Sequence, residues 1–160
     1  MKRLGYTIAA IVFVVDQLAK YWVTAVLDLQ ARGVVGLTPG FDLTWVENTG
    51  VSMGLLRADG NIGRWLLVGV TLAIAAAVAV WIAREANRAD SVALGLVLGG
   101  ALGNIVDRVR YGYVVDFFHA YWHDHHFYVF NVADAAITVG VIALLIRAVV
   151  TPQRVKPVQE

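Results

Sequence analysis

Four long apolar stretches dominate this chain, and each has about the 20 residues that an α-helix needs to cross a membrane. They cover residues 4–27, 65–83, 91–109 and 128–146. Hydrophobic residues make up 59% of the 160 positions and the mean hydropathy is +0.66, which is high for a soluble domain. The sequence therefore predicts a membrane-embedded all-α bundle of four helices. We expect one domain over residues 1–150 and a disordered tail over 151–160.

Composition and charge exclude several other classes of protein. The net charge is +1 with scattered basic residues, which gives no patch for nucleic acid. Without cysteine, the chain forms no disulfide and has no thiol nucleophile. The first apolar stretch is similar to a secretory signal peptide, but no small-residue cleavage site follows it, and the helical pattern continues through Asp16 and Lys20. We expect a retained first span.

Basic residues flank the spans asymmetrically, and such flanks favour the cytoplasmic side. The cytoplasmic set is Lys2, Arg3, Arg84, Arg88, Arg147, Arg154 and Lys156. Both termini are then cytoplasmic, and residues 28–64 and 110–127 face outward. In these outer segments, residues 41–46 alternate after the turn Pro39-Gly40, and residues 113–118 are rich in strand formers. They predict a small extracytoplasmic sheet.

Ionisable residues lie inside three of the predicted spans, where lipid tolerates them poorly. They are Asp16, Lys20, Asp107, Arg108 and Asp134. At a rise of 1.5 Å per residue, Asp16, Asn104 and Asp134 lie roughly 18–20 Å from the cytoplasmic ends of their helices. Three spans thus bring polar side chains to one level, toward the outer leaflet.

Structural explanations compete with functional ones at most of these positions. Asp16 and Lys20 have the i,i+4 spacing of an ion pair that holds helices together. Arg108 could alternatively be an interfacial anchor that extends its charge to water, although a role in the site is the favoured interpretation. Asp107 is expected to face elsewhere and to be solvated. The amides of Asn48, Asn104 and Asn131 suit either interhelical hydrogen bonding or the fixing of carboxylates.

Asp134 differs from the others because its own helix offers it no basic residue within a turn. Asp116 follows the turn candidate Gly112, so its segment can fold back to the level of Asp134. Two carboxylates in a poorly hydrated site cannot comfortably both ionise, and such a pair shares a proton. This is the arrangement of aspartic proteases. We therefore predict that Asp116 and Asp134 form an acid/base pair.

The chain resembles the bacterial lipoprotein signal peptidases, also called signal peptidase II. The resemblance rests on Asp16-Gln17-x-x-Lys20, on Asn48-Thr49-Gly50, on GGALGNIVDRVRYGYVVDFF from Gly99, and on FNVADAAI from Phe130. It implies that Asp116 and Asp134 are catalytic. It also implies supporting roles in the site for Asp16, Lys20, Asn48, Gly50, Asn104, Arg108 and Asn131.

The resemblance further implies an activity, a location and an inhibitor. Members of this family cleave the signal peptide from a prolipoprotein just before a diacylglyceryl-modified cysteine, at the outer face of the bacterial cytoplasmic (inner) membrane. They bind the cyclic peptide globomycin and need no metal or cofactor. Besides the four membrane helices, their fold has a sheet and a short amphipathic element. In this chain, residues 28–35 or 60–65 are expected to supply that element. We expect a monomer. Val51-Ser52-Met53 departs from the usual Ala-Ala-Phe, which affects the expected shape of the pocket wall.

Four alternative interpretations concern other features of the chain. A zinc site is conceivable at a group of outer-loop residues, although the HExxH glutamate is absent and an interfacial aromatic segment fits better. That group is His119, His123, His125, His126 and Asp124. Gly99, Gly100 and Gly103 favour helix packing.

Two other functions are alternatives to a peptidase. A proton-coupled carrier would use the same intramembrane carboxylates, but its usual internal repeat is absent. A purely structural subunit would leave the polar side chains at one level without a function.

Overall fold

The computed structural model describes residues 1–50, 61–123 and 125–150. The predicted tail, the Val51-Ser52-Met53 departure and Asp124 lie outside these residues. Helices α1 (Lys2–Tyr21), α3 (Asn61–Arg84), α4 (Arg88–Arg110) and α5 (Val132–Val150) form a bundle, and α1 continues into a π-helical turn over Trp22–Val26. In the described part of the chain, four helices are long and apolar enough to cross a membrane, as predicted.

Helix α4 is the central element, packing against α1, α3 and α5. Small residues make this possible, because a Cβ at Gly99 would lie 2.5 Å from the carbonyl oxygen of Ala9 on α1. A Cβ at Gly100 would clash with the carbonyl of Ala133 on α5, and one at Gly103 would lie 2.5 Å from Asp16 Oδ2. The predicted packing role of the three glycines is confirmed.

A four-stranded antiparallel sheet lies at one end of the bundle, with strand order β1-β2-β3-β4. The strands are β1 (Val34–Thr38), β2 (Phe41–Asn48), β3 (Val114–Trp122) and β4 (His125–Phe130). The predicted strands correspond to β2 and β3. Short helix α2 (Leu29–Arg32) precedes the sheet, within one of the two regions expected to supply the amphipathic element.

The predicted fourth span is wrong at its first four residues. Residues 128–130 belong to β4, and the helix begins only at Val132. Apolar content alone cannot separate the end of an aromatic strand from the start of a buried helix. Asn131 marks the boundary, since its side chain accepts a hydrogen bond from Asp134 N at 2.9 Å and so caps α5.

An apolar core between the sheet and the helices holds the sheet to the bundle. Leu43, Val115 and Phe117 pack with Val23 of the π-helical turn and Leu29 of α2. All five side chains are at most 2% exposed. Strand β3 is therefore fixed against the helices on the level where Asp116 lies.

Candidate active site

Asp116 is the third residue of β3, and only 1% of its surface is exposed. Its register partner on β2 is Val46, which places β2 beside it. Asn48 Nδ2 donates to Asp116 Oδ2 at 3.0 Å, and Asn131 Nδ2 donates to Asp116 Oδ1 at 2.6 Å. Both oxygens of this buried carboxyl group therefore accept from neutral amides.

Asp134 is the third residue of α5 and is half-buried. Asn104 Nδ2 on α4 donates to its Oδ1 at 2.8 Å, and the backbone N–H of Asn131 donates to its Oδ2 at 3.3 Å. Together with the Asp134 N–H bond to Asn131 Oδ1, this forms a reciprocal cap at the start of the helix. The helix N-terminus thus fixes the orientation of the carboxyl group.

Asn131 joins the two aspartates. Its side-chain N–H group reaches Asp116, while its side-chain oxygen and its backbone N–H both engage Asp134. The side-chain nitrogen Nδ2 of Asn131 also lies 3.3 Å from Asn104 Oδ1 and from the carbonyl oxygen of Val115. Asn131 is fully buried, so the predicted pair is connected through one rigid side chain.

Asn48 is oriented by the turn that follows it. The backbone N–H of Gly50 donates to Asn48 Oδ1 at 3.2 Å, which directs the amide nitrogen of Asn48 toward Asp116. The structure thus connects both predicted site residues of this loop to the site. Asn48 contacts Asp116 directly, and Gly50 acts through Asn48.

A second polar centre adjoins the aspartate pair. Lys20 Nζ lies 2.9 Å from Asp16 Oδ2, 2.7 Å from Asp107 Oδ2 and 3.2 Å from Asn104 Oδ1. These four side chains are all buried. We call Asp16, Lys20 and Asp107 the lysine centre. Asn104 links the lysine centre to Asp134, because it accepts from Lys20 and donates to Asp134.

The lysine centre also holds the backbone beside each aspartate of the pair. Asp16 Oδ1 accepts from the N–H of Ala133 at 2.9 Å, one residue before Asp134. Asp107 Oδ2 accepts from the N–H of Val115 at 3.1 Å, one residue before Asp116. The positions of both carboxyl groups thus depend on this centre.

The prediction that Asp107 is solvated is wrong, because only 1% of its surface is exposed. Gln17 was also missed, and its Nε2 lies 3.2 Å from oxygens of both Asp16 and Asp107. The position of Asp107 next to Arg108 in a terminal helical turn gave no sign of burial. A signal was available in the spacing, since Asp107 lies three residues after Asn104 and therefore on the same side of α4.

Arg108 lies at the edge of the site. Its Nη1 contacts the carbonyl oxygen of Asn104 at 3.5 Å, and its charge lies within electrostatic reach of Asp134 and Asp116. Its Nε is buried without a hydrogen-bond partner among the described residues. The arginine is therefore placed to interact with a group that enters the site.

The surroundings of Asp116 change its acidity. Burial, reinforced by the negative charge of Asp134, raises the pKa of Asp116 from its ordinary 3.8 to about 7. Hydrogen bonds from Asn48 and Asn131 and the charge of Lys20 oppose this effect. A carboxyl group that retains its proton near neutral pH can serve as an acid.

A cavity of about 420 Å³ opens beside Asp134. It is lined by Phe130, Asp134, Ala135, Thr138 and Val139. Ala135, Thr138 and Val139 are exposed on the outside of the bundle, where a membrane helix faces lipid. Asp134 is thus accessible from the side of the bundle.

Among the described residues, the zinc alternative is represented by one contact between two histidines. His119 and His126 contact each other, but in residues 1–50, 61–123 and 125–150 no group of three or more His, Cys, Asp or Glu side chains has metal-binding geometry. Asp124 lies outside the described residues. The aspartate pair is therefore the more complete chemical arrangement.

Comparison with known proteins gives concordant matches. Residues 8–150 match the profile of the family described as Signal peptidase (SPase) II. The chain is 52% identical to the lipoprotein signal peptidase of Rhizorhabdus wittichii, over 99% of this chain and 92% of that protein. It is 49% identical to that of Sphingopyxis alaskensis, over 95% and 88% of the two chains.

Solved structures agree with the sequence matches. A bacterial membrane enzyme determined by the in meso method at 2.3 Å superposes with a TM-score of 0.80 and 29% identity, covering 98% of this chain and 93% of the other. A second one, at 1.9 Å, gives 0.78 and 30%, covering 92% and 94%. The family match over residues 8–150 contains both aspartates, all of α3, α4 and α5, and most of α1. The chain belongs to the signal peptidase II family, the proteases that remove signal peptides from prolipoproteins.

Proposed function

We propose that Asp116 and Asp134 are the catalytic pair of an aspartyl endopeptidase that cleaves diacylglyceryl-modified prolipoproteins just before the lipidated cysteine. One observation carries this proposal: two carboxyl groups are joined through Asn131 and accept hydrogen bonds only from amides among the described residues. Because no cationic side chain in the part of the chain that the structure describes is hydrogen-bonded to either carboxyl group, the two groups favour a state that shares one proton.

The reaction follows from the shared proton. The ionised carboxylate takes a proton from a water molecule as its oxygen attacks the scissile carbonyl carbon. The protonated carboxyl group donates a hydrogen bond to the developing oxyanion and then gives its proton to the leaving nitrogen as the C–N bond breaks. The products are a carboxylate on the signal peptide and a free amine on the lipidated cysteine.

The remaining residues of the site have supporting roles in this proposal. Asn48, Asn104 and Asn131 orient the two carboxyl groups, and Gly50 orients Asn48. Asp16 and Lys20 hold the backbone near Asp134 and the side chain of Asn104. Arg108, with an unsatisfied buried Nε, is suited to contact a carbonyl oxygen of the substrate.

Substrate access is proposed to be lateral. The signal peptide of a prolipoprotein is an apolar helix, and its lipid chains lie in the same membrane leaflet as the cleavage site. The cavity beside Asp134 opens between residues that face lipid, so the substrate enters without leaving the membrane. The site then lies toward the outer face of a bacterial inner membrane, with both termini cytoplasmic.

We further propose that residues 1–150 work as one monomeric domain that binds globomycin-type cyclic peptides at the same site.

The proposed cytoplasmic location of both termini is supported by the basic flanks of α1, α3, α4 and α5. The carrier alternative is not favoured, because the matched family is a family of proteases.

The decisive experiment compares the parent protein with Asp116→Asn and Asp134→Asn, reconstituted with a diacylglyceryl-modified prolipoprotein. We expect each variant to lose at least about a thousandfold in kcat/KM while its thermal unfolding stays cooperative, because neither can form the proton-sharing pair. Asp28→Asn is the matched control, since Asp28 is exposed and has a positive φ that asparagine tolerates. Cleavage at the parental rate by either pair variant would refute the proposal.

A further inference from the structure

A group of polar side chains on the sheet takes no part in the proposed peptidase mechanism. Its centre is the imidazole pair, His119 on β3 and His126 on β4. Asp42 and Thr44 of β2 and Tyr121 of β3 surround the pair. Asp42 and His119 are directly opposite in the β2–β3 register, as are Tyr121 and His126 in the β3–β4 register, so the members of each couple share a face of the sheet.

The two imidazoles meet through ring nitrogens. His126 Nδ1 lies 3.2 Å from His119 Nε2, and the two ring planes are only 11° apart. In this contact one nitrogen carries a hydrogen and the other a lone pair. His126 is exposed and His119 is half-buried, so solvent reaches the contact from the His126 side.

The surroundings of His119 fix its orientation. Thr44 Oγ1 lies 3.5 Å from His119 Nδ1, and the ring of Tyr121 lies 5.5 Å from the His119 ring. Tyr121 is itself held by a 3.4 Å hydrogen bond from its hydroxyl to Asp42 Oδ1. A metal-binding histidine is commonly held in this way, with its second ring nitrogen near a polar group of the protein.

The separation of the two nitrogens matches the requirement of a metal ion. Two imidazole nitrogens at about 2.0–2.1 Å from a tetrahedral ion lie roughly 3.3–3.4 Å apart. The observed 3.2 Å is close to this value. Because the χ2 torsion of histidine is broad, a small ring rotation directs both lone pairs to one point.

We propose that His119 and His126 bind a divalent first-row transition-metal ion of the class of Zn²⁺, which replaces the proton between them. Imidazole nitrogen is a preferred ligand for such ions. The described part of the chain supplies no third ligand with metal-binding geometry. In this proposal water fills the remaining coordination positions. The ion cross-links β3, which carries Asp116, to β4, which leads into the α5 cap at Asn131. It therefore stabilises the sheet without entering the peptidase site.

The test is calorimetric titration of ZnCl₂ into the detergent-solubilised full chain after removal of any histidine tag. We expect one ion per chain for the parent, and an affinity at least about tenfold lower for His126→Ala, which removes one of the two ligands. The matched control is His125→Ala. Neighbouring residues on a strand point to opposite faces, so this variant removes an equally exposed histidine from outside the pair.

A second measurement covers the case in which a substitution alters the fold. Zn²⁺ raises the Tm of a protein that binds it in the folded state. We expect this increase for the parent and for His125→Ala, and its loss for His126→Ala and His119→Gln, each compared with its own metal-free Tm. Equal loss of binding in His125→Ala and His126→Ala, or parental binding by His126→Ala, would overturn the proposal. Neither measurement depends on peptidase activity.

Discussion

The carboxylates at the sheet end of the bundle, three of them buried and Asp134 half-buried, form two pairs that differ in their hydrogen-bond donors. Asp16 and Asp107 share the ammonium group of Lys20, with nitrogen to oxygen distances of 2.9 and 2.7 Å. Asp116 and Asp134 share the neutral residue Asn131, whose side-chain N–H donates to Asp116 and whose backbone N–H donates to Asp134. The two pairs are adjacent, because Asn104 accepts from Lys20 and donates to Asp134.

The difference shows that the lysine-bound pair is suited to a structural role and the amide-bound pair to acid/base chemistry. A lysine between two carboxylates offsets one of their two negative charges and makes their positions a structural constraint. Amide donors orient carboxylates but leave the charge unbalanced, so a proton remains exchangeable between them. The lysine centre then acts on the aspartate pair through backbone contacts at Val115 and Ala133.

Lys20→Met is expected to have the largest effect on stability. It leaves Asp16 and Asp107 buried without their shared cation, at a cost of about 3–5 kcal/mol in the free energy of unfolding. Denaturant unfolding in detergent measures this loss. The control is Arg147→Gln, which breaks the partly exposed ion pair with Asp90 at the other end of the bundle and should cost less than about 1 kcal/mol. Equal losses would remove the distinction between the lysine centre and an ordinary surface pair.

Asp107→Ala tests whether the lysine centre positions Asp116. The change removes the acceptor for the Val115 N–H, and we expect kcat to fall about 10–100-fold because small misplacement of a catalytic group is costly. KM should change less, since the cavity beside Asp134 is intact. Asp90→Ala is the control. A rise in KM with unchanged kcat would argue that Asp107 supports substrate binding instead.

The pH dependence tests the amide-bound pair. Because the pKa of Asp116 is raised to about 7, folding favours its protonated form, and the resulting stability is present below about pH 4 and lost as the pH rises through 7. Activity requires one shared proton, so kcat/KM should fall about tenfold per pH unit above that value. A profile over pH 5–9 and unfolding of Asp116→Asn at both extremes measure the two effects. A flat profile up to pH 9 would contradict proton sharing.

Asn48→Ala should give the smallest change. Its hydrogen bond lowers the pKa of Asp116, so removing it should move the alkaline fall in kcat/KM to higher pH. Loss of orientation should reduce the maximal rate only about fivefold, because a typical hydrogen bond contributes about 1 kcal/mol. Asn48→Asp keeps the size of the side chain and adds a competing carboxylate, so a shift in the same direction with a greater loss of rate is expected. A downward shift in Asn48→Ala would contradict the assigned donor.

Local sequence gave much of the architecture. The four spans, the two central strands and the glycine contacts of α4 were predicted, because lipid imposes long apolar helices and close helix packing requires small residues. β1 and β4 were not predicted. β1 includes Gly36, which is unfavourable in strands, and β4 is a run of aromatic residues continuous with the next helix.

The site was predicted unevenly for the same reason. Asp116, Asp134 and the three asparagines were identified from helical depth, side-chain chemistry and the family motifs, and the structure brings them into one network. Asp107 and Gln17 were missed because the contacts between them, and those of Asp107 with Lys20 and Val115, join separate elements. No spacing along one chain segment states that Asp107 will accept from the Val115 N–H across the turn at Gly112.

Sequence alone therefore determined that the described part of this chain has four helices long and apolar enough to cross a membrane, and that it carries carboxylates that lipid would not tolerate unpaired. It also determined, through its motifs, the family to which the chain belongs. Tertiary structure decided which carboxylates share a cation and which share only amides. That choice depends on the approach of α1, α4, β3 and α5 within hydrogen-bond distance, and contacts of about 3 Å between distant segments are set by packing rather than by local pattern.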